Sequence, residues 1–312
     1  MLRQDVVQQT LDLPNAAVRR PTVSLLRMAN AYLSLTKPRI ISLLLVTTVP
    51  TMIVAQGGMP SLWLVLVTLL GGTLAAGGAN AINCFLDRDI DGIMSRTRDR
   101  PLPAGTIEPE RALFFGISLG VLAFVVLVLG ANLLSALLAI AALAFYVFVY
   151  TIWLKRSSSQ NIVIGGAAGA IPPLVGWAAV TGGLGWPALV LFGIVFLWTP
   201  PHFWALALRY RADYARAGVP MLPVVKGEAE TRRQSLIYSG LLVACTLALV
   251  PVAGMGLLYL GAALVLGGGF FGLALRSWRW PTVQATRALF LYSIPYLGLL
   301  FVAMGVDQAL PW

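Results

Sequence analysis

Nine apolar runs divide this chain, each close to the 17–25 residues a helix needs to cross a bilayer. They lie near residues 40–57, 61–85, 112–130, 133–154, 162–181, 187–208, 235–254, 257–275 and 288–306. Only 11% of the residues are charged while 58% are hydrophobic, and mean hydropathy is +0.83. In lipid a backbone must satisfy its own polar groups within each crossing segment, so runs of this length fold as helices. The expected fold class is therefore all-α: a polytopic membrane protein of nine transmembrane helices, which excludes a soluble enzyme.

Charge placement orients the bundle. All 22 lysines and arginines fall in the N-terminal segment or in the connections after the second, fourth, sixth and eighth runs. The remaining connections and the C-terminal tail hold none. By the positive-inside rule the N-terminus and the basic connections are cytoplasmic and the C-terminus lies outside, which requires an odd number of spans. The net charge of +10 is then a topology signal that also favours anionic membrane lipid, and it implies no nucleic-acid partner. Residues 1–36 read as a cytoplasmic N-terminal segment, and residues 37–308 as the membrane domain. Leu25, Met28, Ala29, Tyr32 and Leu35 recur at helical spacing, as expected of a helix lying along the membrane surface. The first long apolar run starts only near Ile40, so a signal-peptide pattern is absent, and Asp5 and Asp12 argue against a transit peptide. Cys84 and Cys245 sit in apolar runs as small fillers and suggest no disulfide.

Most of the acids gather in two long cytoplasmic connections. The first opens on Asn83-Cys84-Phe85-Leu86-Asp87-Arg88-Asp89-Ile90-Asp91. On a helix Asn83, Asp87 and Asp91 stand at i, i+4 and i+8 and form one stripe, with Asn80 a turn earlier and Asp89 on roughly the opposite side. Two readings of the stripe stand side by side. It is a solvated helix end neutralised by Arg88, Arg96, Arg98 and Arg100, or it is a site for a hard cation such as Mg²⁺, which needs only a few carboxylates and completes its shell with water and phosphate oxygens. The loop that follows, Arg96-Thr97-Arg98-Asp99-Arg100-Pro101-Leu102-Pro103, combines guanidinium groups suited to phosphate with prolines that stop a helix.

The second long connection repeats the theme. Arg209, Arg211, Asp213 and Arg216 precede a Gly-Val-Pro-Met-Leu-Pro turn. A cation-bound diphosphate held between two helix ends is the simplest chemistry that uses both clusters. Lys155-Arg156 and Lys37-Pro38-Arg39 stand at further cytoplasmic helix ends, where they either anchor the helix or reach a phosphate. Thr199-Pro200-Pro201-His202-Phe203-Trp204 contains the single histidine of the chain. A lone membrane histidine is commonly a helix-to-helix hydrogen bond, while iron ligation and proton handling are the functional alternatives. The prolines here and at Pro172-Pro173 predict interrupted helices, a feature shared with transporters. The spans carry hardly any ionisable groups for coupling, which argues against transport.

Asn83-x-x-x-Asp87-x-x-x-Asp91, followed by Arg96-Thr97-x-x-Arg100-Pro101-Leu102, resembles the first aspartate-rich motif of the UbiA superfamily of intramembrane prenyltransferases. Thr36-Lys37-Pro38-Arg39, Tyr150-Thr151 before Lys155-Arg156, Asn161 to Gly166, Pro201-His202-Phe203-Trp204 and Asp213-Tyr214-x-x-Ala217-Gly218-x-Pro220-Met221-Leu222-Pro223 are similar to its haem-farnesylating branch. The likeness runs from about residue 31 to 305. It implies nine helices around a central cavity with a cytoplasmic cap, in a bacterial inner membrane. It implies a reaction joining the farnesyl group of farnesyl diphosphate to a vinyl group of haem b with addition of water. Implied roles are Mg²⁺ and diphosphate on Asn83, Asp87 and Asp91, a second metal position at Asp213, phosphate contacts from Arg96, Arg100, Lys155, Arg156 and Lys37, and a haem-facing His202. Association with haem A synthesis or terminal oxidase assembly is a further implication. Ala217 stands where many superfamily members carry the second acid of an Asp-x-x-x-Asp, which leaves the second metal's ligands open. The alternatives are a prenyltransferase for another aromatic acceptor such as 4-hydroxybenzoate, or a haem or lipid transporter or binding protein.

Overall fold

The structure is a computed structural model that describes residues 24–310, so the expectations for residues 1–23 lie outside the described residues. Every element among the described residues is a helix. The long ones are α2 (Pro38–Gln56), α3 (Leu62–Leu86), α5 (Pro109–Gly130), α6 (Leu133–Ser157), α7 (Asn161–Thr181), α8 (Trp186–Arg209), α11 (Gly227–Ala253), α12 (Leu257–Arg279) and α13 (Val283–Ala309). The short ones are α1 (Leu25–Thr36), α4 (Arg88–Ile93), α9 (Arg211–Arg216) and α10 (Leu222–Val225). Connections at the basic end hold α4, α9 and α10 and form a cap over it, while the opposite connections are tight turns.

Eight of these helices are individually long and apolar enough to span a membrane, and a ninth is reached when α1 and α2 count as one span bent by 52°. The first run, near residues 40–57, is the one that counts only jointly, and its Thr47, Thr48 and Thr51 are buried. The bend falls at Lys37, a non-glycine residue in the left-handed region (φ 55°, ψ 61°), directly before Pro38. Such a conformation costs roughly 1–2 kcal/mol and persists only where its surroundings hold it.

α1 is amphipathic as expected, in a shifted register. Met28, Ala31, Tyr32 and Leu35 pack against Ala81, Cys84, Leu102 and Ala112, and Tyr32 meets Phe115 edge to face at 5.0 Å. Leu25 and Ala29 are exposed instead, because the inward stripe follows i, i+3, i+4, i+7 from Met28. The proline pairs do not interrupt their helices: α7 runs unbroken through Pro172 and Pro173, and α8 through Pro200 and Pro201. Packing against neighbours on several sides holds these helices together where backbone bonds are lost.

Small residues set the closest helix approach. A Cβ on Gly78 of α3 would stand 2.7 Å from the carbonyl oxygen of Gly116 on α5, so only glycine permits this spacing. The result is a firm scaffold for the basic end of α3, where the acid stripe begins. α8, α11, α12 and α13 form the largest apolar core, through Trp198, Leu242, Tyr259, Phe270, Tyr296 and Phe301.

Candidate active site

The stripe Asn83–Asp87–Asp91 survives the end of α3. Asp87 closes that helix at φ −92°, yet the Asp87 amide still bonds to Asn83 O (2.9 Å) and the Asp91 amide to Asp87 O (2.8 Å). Helical spacing therefore carries through α4, and all three side chains point inward at 3%, 0% and 2% exposure. This rules out the solvated-end reading. Asn80, one turn earlier, does not join them; its amide donates to Thr36 O at 2.9 Å and ties α3 to the end of α1.

Buried acids need counter-charges, and three separate elements supply them. Lys37 Nζ, at the bend, donates to Asn83 Oδ1 at 2.8 Å. Asn83 turns its own amide toward Asp87 Oδ2 at 2.7 Å and Thr151 Oγ1 at 3.1 Å. Lys155 pairs with Asp87 Oδ2, and Arg100 with Asp91 Oδ2 at 2.7 Å. Thr97 Oγ1 caps the Asp91 carbonyl at 2.9 Å, which fixes the arginine loop against α4.

The reach of Lys155 depends on an unusual stretch of α6. Phe145–Leu154 are π-helical, and Thr151 Oγ1 donates to Tyr146 O five residues back at 2.8 Å. π-Helical turns are rare, mostly single and concentrated at functional sites; here ten residues adopt that form. The wider winding places Thr151 and Lys155 on the stripe side, with Tyr146 and Tyr150 stacked at 5.2 Å beside them.

Asp89 falls on the other side, as its spacing predicts. It is 59% exposed and takes both Arg156 guanidinium nitrogens at 2.8 Å. Those hydrogen bonds hold its carboxyl down at about 2. Arg156, expected at the diphosphate, is thus engaged by Asp89 and by Leu86 O (2.9 Å), and lies 3.8 Å from Asp87 Oδ1. It borders an open groove of about 620 Å³ lined by Leu86, Arg88, Asp89, Thr151, Ile152 and Arg156.

The second cluster is joined to the first through Ser95. Its hydroxyl donates to Asp213 Oδ2, while Arg216 pairs with Asp213 Oδ1. Arg96 lies over the Tyr210 ring at 5.7 Å. Ile90, Met94, Trp204, Ala207, Tyr214 and Met221 pack into one apolar cluster beneath these contacts. Burial pushes the Tyr214 phenol up, against the opposing pull of the Arg96 and Arg100 charges. Asp213 itself is buried at 6% exposure and makes no hydrogen bond to Asp87 or Asp91.

His202 stands apart, on α8 facing α13. Its ring is stacked with Trp198 (4.4 Å, 17°) and with Phe290 (5.0 Å, 25°), and its Nδ1 lies 2.6 Å from Ser293 Oγ. Ser293 and Ser95 escaped the sequence reading: one is a lone serine in an apolar run, the other lies between the two motif halves. Thr151 stands out in the sequence only within the Tyr-Thr pair that precedes Lys155.

The sequence pattern of the UbiA prenyltransferase family matches residues 44–301. The chain belongs to this family. A UbiA-family relative from Gloeobacter violaceus, protoheme IX farnesyltransferase, is 60% identical over 280 residues, which make up 89% of this chain and 92% of that protein. Protoheme IX farnesyltransferase 1 of Saccharopolyspora erythraea is 58% identical over 282 residues, 89% of this chain and 90% of its own. Among solved structures, a UbiA homolog from Archaeoglobus fulgidus bound to DMAPP and Mg²⁺ matches with a TM-score of 0.65 at 18% identity, covering 89% of this chain and 98% of that one. The apo UbiA homolog from Aeropyrum pernix K1 gives 0.70 at 17% identity, covering 85% and 97%. At such identities the solved structures share the fold.

A divalent cation fits the stripe on the structure's own terms. Among the described residues no three His, Cys, Asp or Glu side chains converge, so the donor set is two carboxylates and an amide. That sparse oxygen set suits Mg²⁺, which keeps most of its shell for water and phosphate oxygens. Asp87 Oδ1 is buried and has no hydrogen-bond partner, a lone acceptor of the kind a cation ligand offers.

Proposed function

We propose that this UbiA-family prenyltransferase moves the farnesyl group of farnesyl diphosphate to a vinyl group of haem b, adds water, and releases diphosphate. The observation that carries this reading is the convergence of Lys37, Lys155 and Arg100 on one buried Asn83–Asp87–Asp91 stripe. Relatives at 58% and 60% identity that bear the name protoheme IX farnesyltransferase supply the acceptor.

The chemistry follows from the charges. Asn83, Asp87 and Asp91 would hold Mg²⁺, with Asp213 at a second position. When bound, Mg²⁺ supplies positive charge to the diphosphate oxygens as the allylic C–O bond breaks. Lys37, Lys155 and Arg100 surround the same place and, with Arg96 reaching in from the Tyr210 side, would stabilise the departing diphosphate, the arginines as guanidinium donors and the lysines as point charges. Arg156 contacts phosphate from the groove side. The vinyl π electrons of the acceptor form the new C–C bond to the farnesyl cation. Positive charge then rests on the carbon next to the porphyrin, where water adds its oxygen and gives up a proton. The apolar interior keeps water from the farnesyl cation until that bond exists.

The lysine and arginine distribution supports a cytoplasmic basic end and an outward C-terminus, and bacterial relatives support an inner-membrane location with that C-terminus in the periplasm. Incubating the purified protein with haem b, farnesyl diphosphate and Mg²⁺, followed by mass analysis of the pigment, tests the function. A hydroxyethylfarnesyl haem is expected. Bound substrates without that product overturn the reading.

A further inference from the structure

The aromatic enclosure of His202 points to a use for its second ring nitrogen, which takes no hydrogen bond from the described residues. We propose that His202 Nε2 is an axial ligand to the iron of the haem acceptor, and that Ser293 is the positioning residue that selects the ligating tautomer. This rests on the haem reading above and deepens it.

Ser293 sits fully buried on α13 and makes two separate ties to α8. Its backbone carbonyl accepts from Trp198 Nε1 at 2.8 Å, and its hydroxyl oxygen lies 2.6 Å from His202 Nδ1. The hydroxyl has a single proton, and that proton goes to Phe290 O at 2.7 Å, an atom that can only accept. Ser293 Oγ therefore offers His202 a lone pair, and Nδ1 must carry the imidazole hydrogen. A neutral ring with hydrogen on Nδ1 has its free lone pair on Nε2.

Nε2 makes no hydrogen bond among the described residues, and the His202 ring remains partly accessible. A histidine kept only to join two helices would do so at little gain if its second nitrogen stayed unpaired in an apolar place. The stacked neighbours fit a ligand role as well. A metal–nitrogen bond lies in the imidazole plane, so Trp198 and Phe290 restrain the ring's rotation without standing in the bond's path. Histidines that bind metals commonly donate their other ring N–H to a fixed acceptor, which sets tautomer and orientation together. Holding the macrocycle by its iron also fixes how far its vinyl groups stand from α8, the orientation that a single-vinyl reaction needs.

Ferric haem b titrated into the purified full-length protein, without farnesyl diphosphate, reads the ligation directly through absorption and electron paramagnetic resonance. A histidine-coordinated signature is expected in the wild type. It should be lost in His202→Ala and return when imidazole is added to His202→Gly. Ser293→Ala should weaken haem affinity about 10–100-fold, the usual effect of removing such a partner. Ser293→Thr, which keeps a hydroxyl, should restore both affinity and spectrum. Should Ser293→Ala fail to fold, the threonine and glycine variants still decide. A His202→Ala spectrum identical to wild type overturns the ligation, and unchanged affinity in Ser293→Ala overturns the positioning role. Farnesylated product from a wild type without a histidine signature sinks this inference alone and leaves the function standing. A protein that neither binds haem nor forms product overturns both.

Discussion

The two polar regions of this bundle solve opposite problems. At the basic end, buried carboxylates and an amide are held by four cations from three places in the fold: Lys37 at the bend, Arg100 in the arginine loop, and Lys155 with, at the rim, Arg156 on α6. Between α8 and α13 one neutral imidazole is held by one hydroxyl and flat aromatic neighbours. The first is a balance of charges, stable only as a set, because a buried charge without its partner is costly. The second is a matter of shape and one proton's location, and carries no net charge. A chemistry that cleaves a charged diphosphate and attaches the product to an apolar vinyl group needs both kinds of place, kept apart.

The sharpest way to break that division is to remove charge from the stripe. Asp87→Asn and Asp91→Asn should each lower turnover by about 10³-fold or more, while the haem spectrum stays as in the wild type. Loss of haem binding with diphosphate binding retained would reverse the placement of the two substrates. Lys155→Met tests the balance itself. It leaves Asp87 buried with half its partners and should cost about 3–5 kcal/mol of stability, seen as a lowered thermal midpoint. Adding Asp87→Asn to that variant should recover most of the midpoint and none of the activity, since the unpaired charge is gone along with the ligand. Asp213→Asn should have a smaller effect, about 10–100-fold on turnover, because among the described residues Asp213 is tied to the stripe's side through the Ser95 loop and not by a direct hydrogen bond.

How far these regions could be read in advance follows the same division. Apolar run length and basic-residue placement carry most of the helical architecture, because lipid leaves the backbone few alternatives. The stripe was legible because its members share a single helix and i, i+4, i+8 spacing survives translation into structure. The partners of His202 were not. Ser293 is ninety-one residues away in a run whose other residues are mostly apolar, and a lone serine there looks like any helix-packing residue. The π-helical winding of Phe145–Leu154 was equally invisible, since apolar composition does not distinguish 3.6-residue turns from wider ones. The proline pairs misled for the same reason: Pro172 and Pro200 signal lost backbone bonds, but neighbouring helices decide whether the helix then breaks.

The smallest effect separates the stripe from its own far side. Asp89 and Arg156 form a bidentate pair at side-chain exposures of 59% and 39%, and exposed pairs contribute about 0–1 kcal/mol. Hydrogen bonds from Arg156 lower the Asp89 carboxyl from its ordinary 3.8 to about 2. A carboxyl depressed by folding adds stability that is fully present above its unfolded value and disappears as pH falls through its folded one. The thermal midpoints of wild type and Asp89→Asn should therefore differ slightly at neutral pH and converge between about pH 4 and pH 2. Turnover distinguishes the roles. Arg156→Ala should raise KM for farnesyl diphosphate several-fold if the guanidinium serves phosphate, whereas Asp89→Asn, which frees that guanidinium, should leave KM unchanged or lower it. An equal rise in KM for both variants would mean that Asp89 belongs to the diphosphate site after all, and that the stripe is not the boundary between structural and chemical acids.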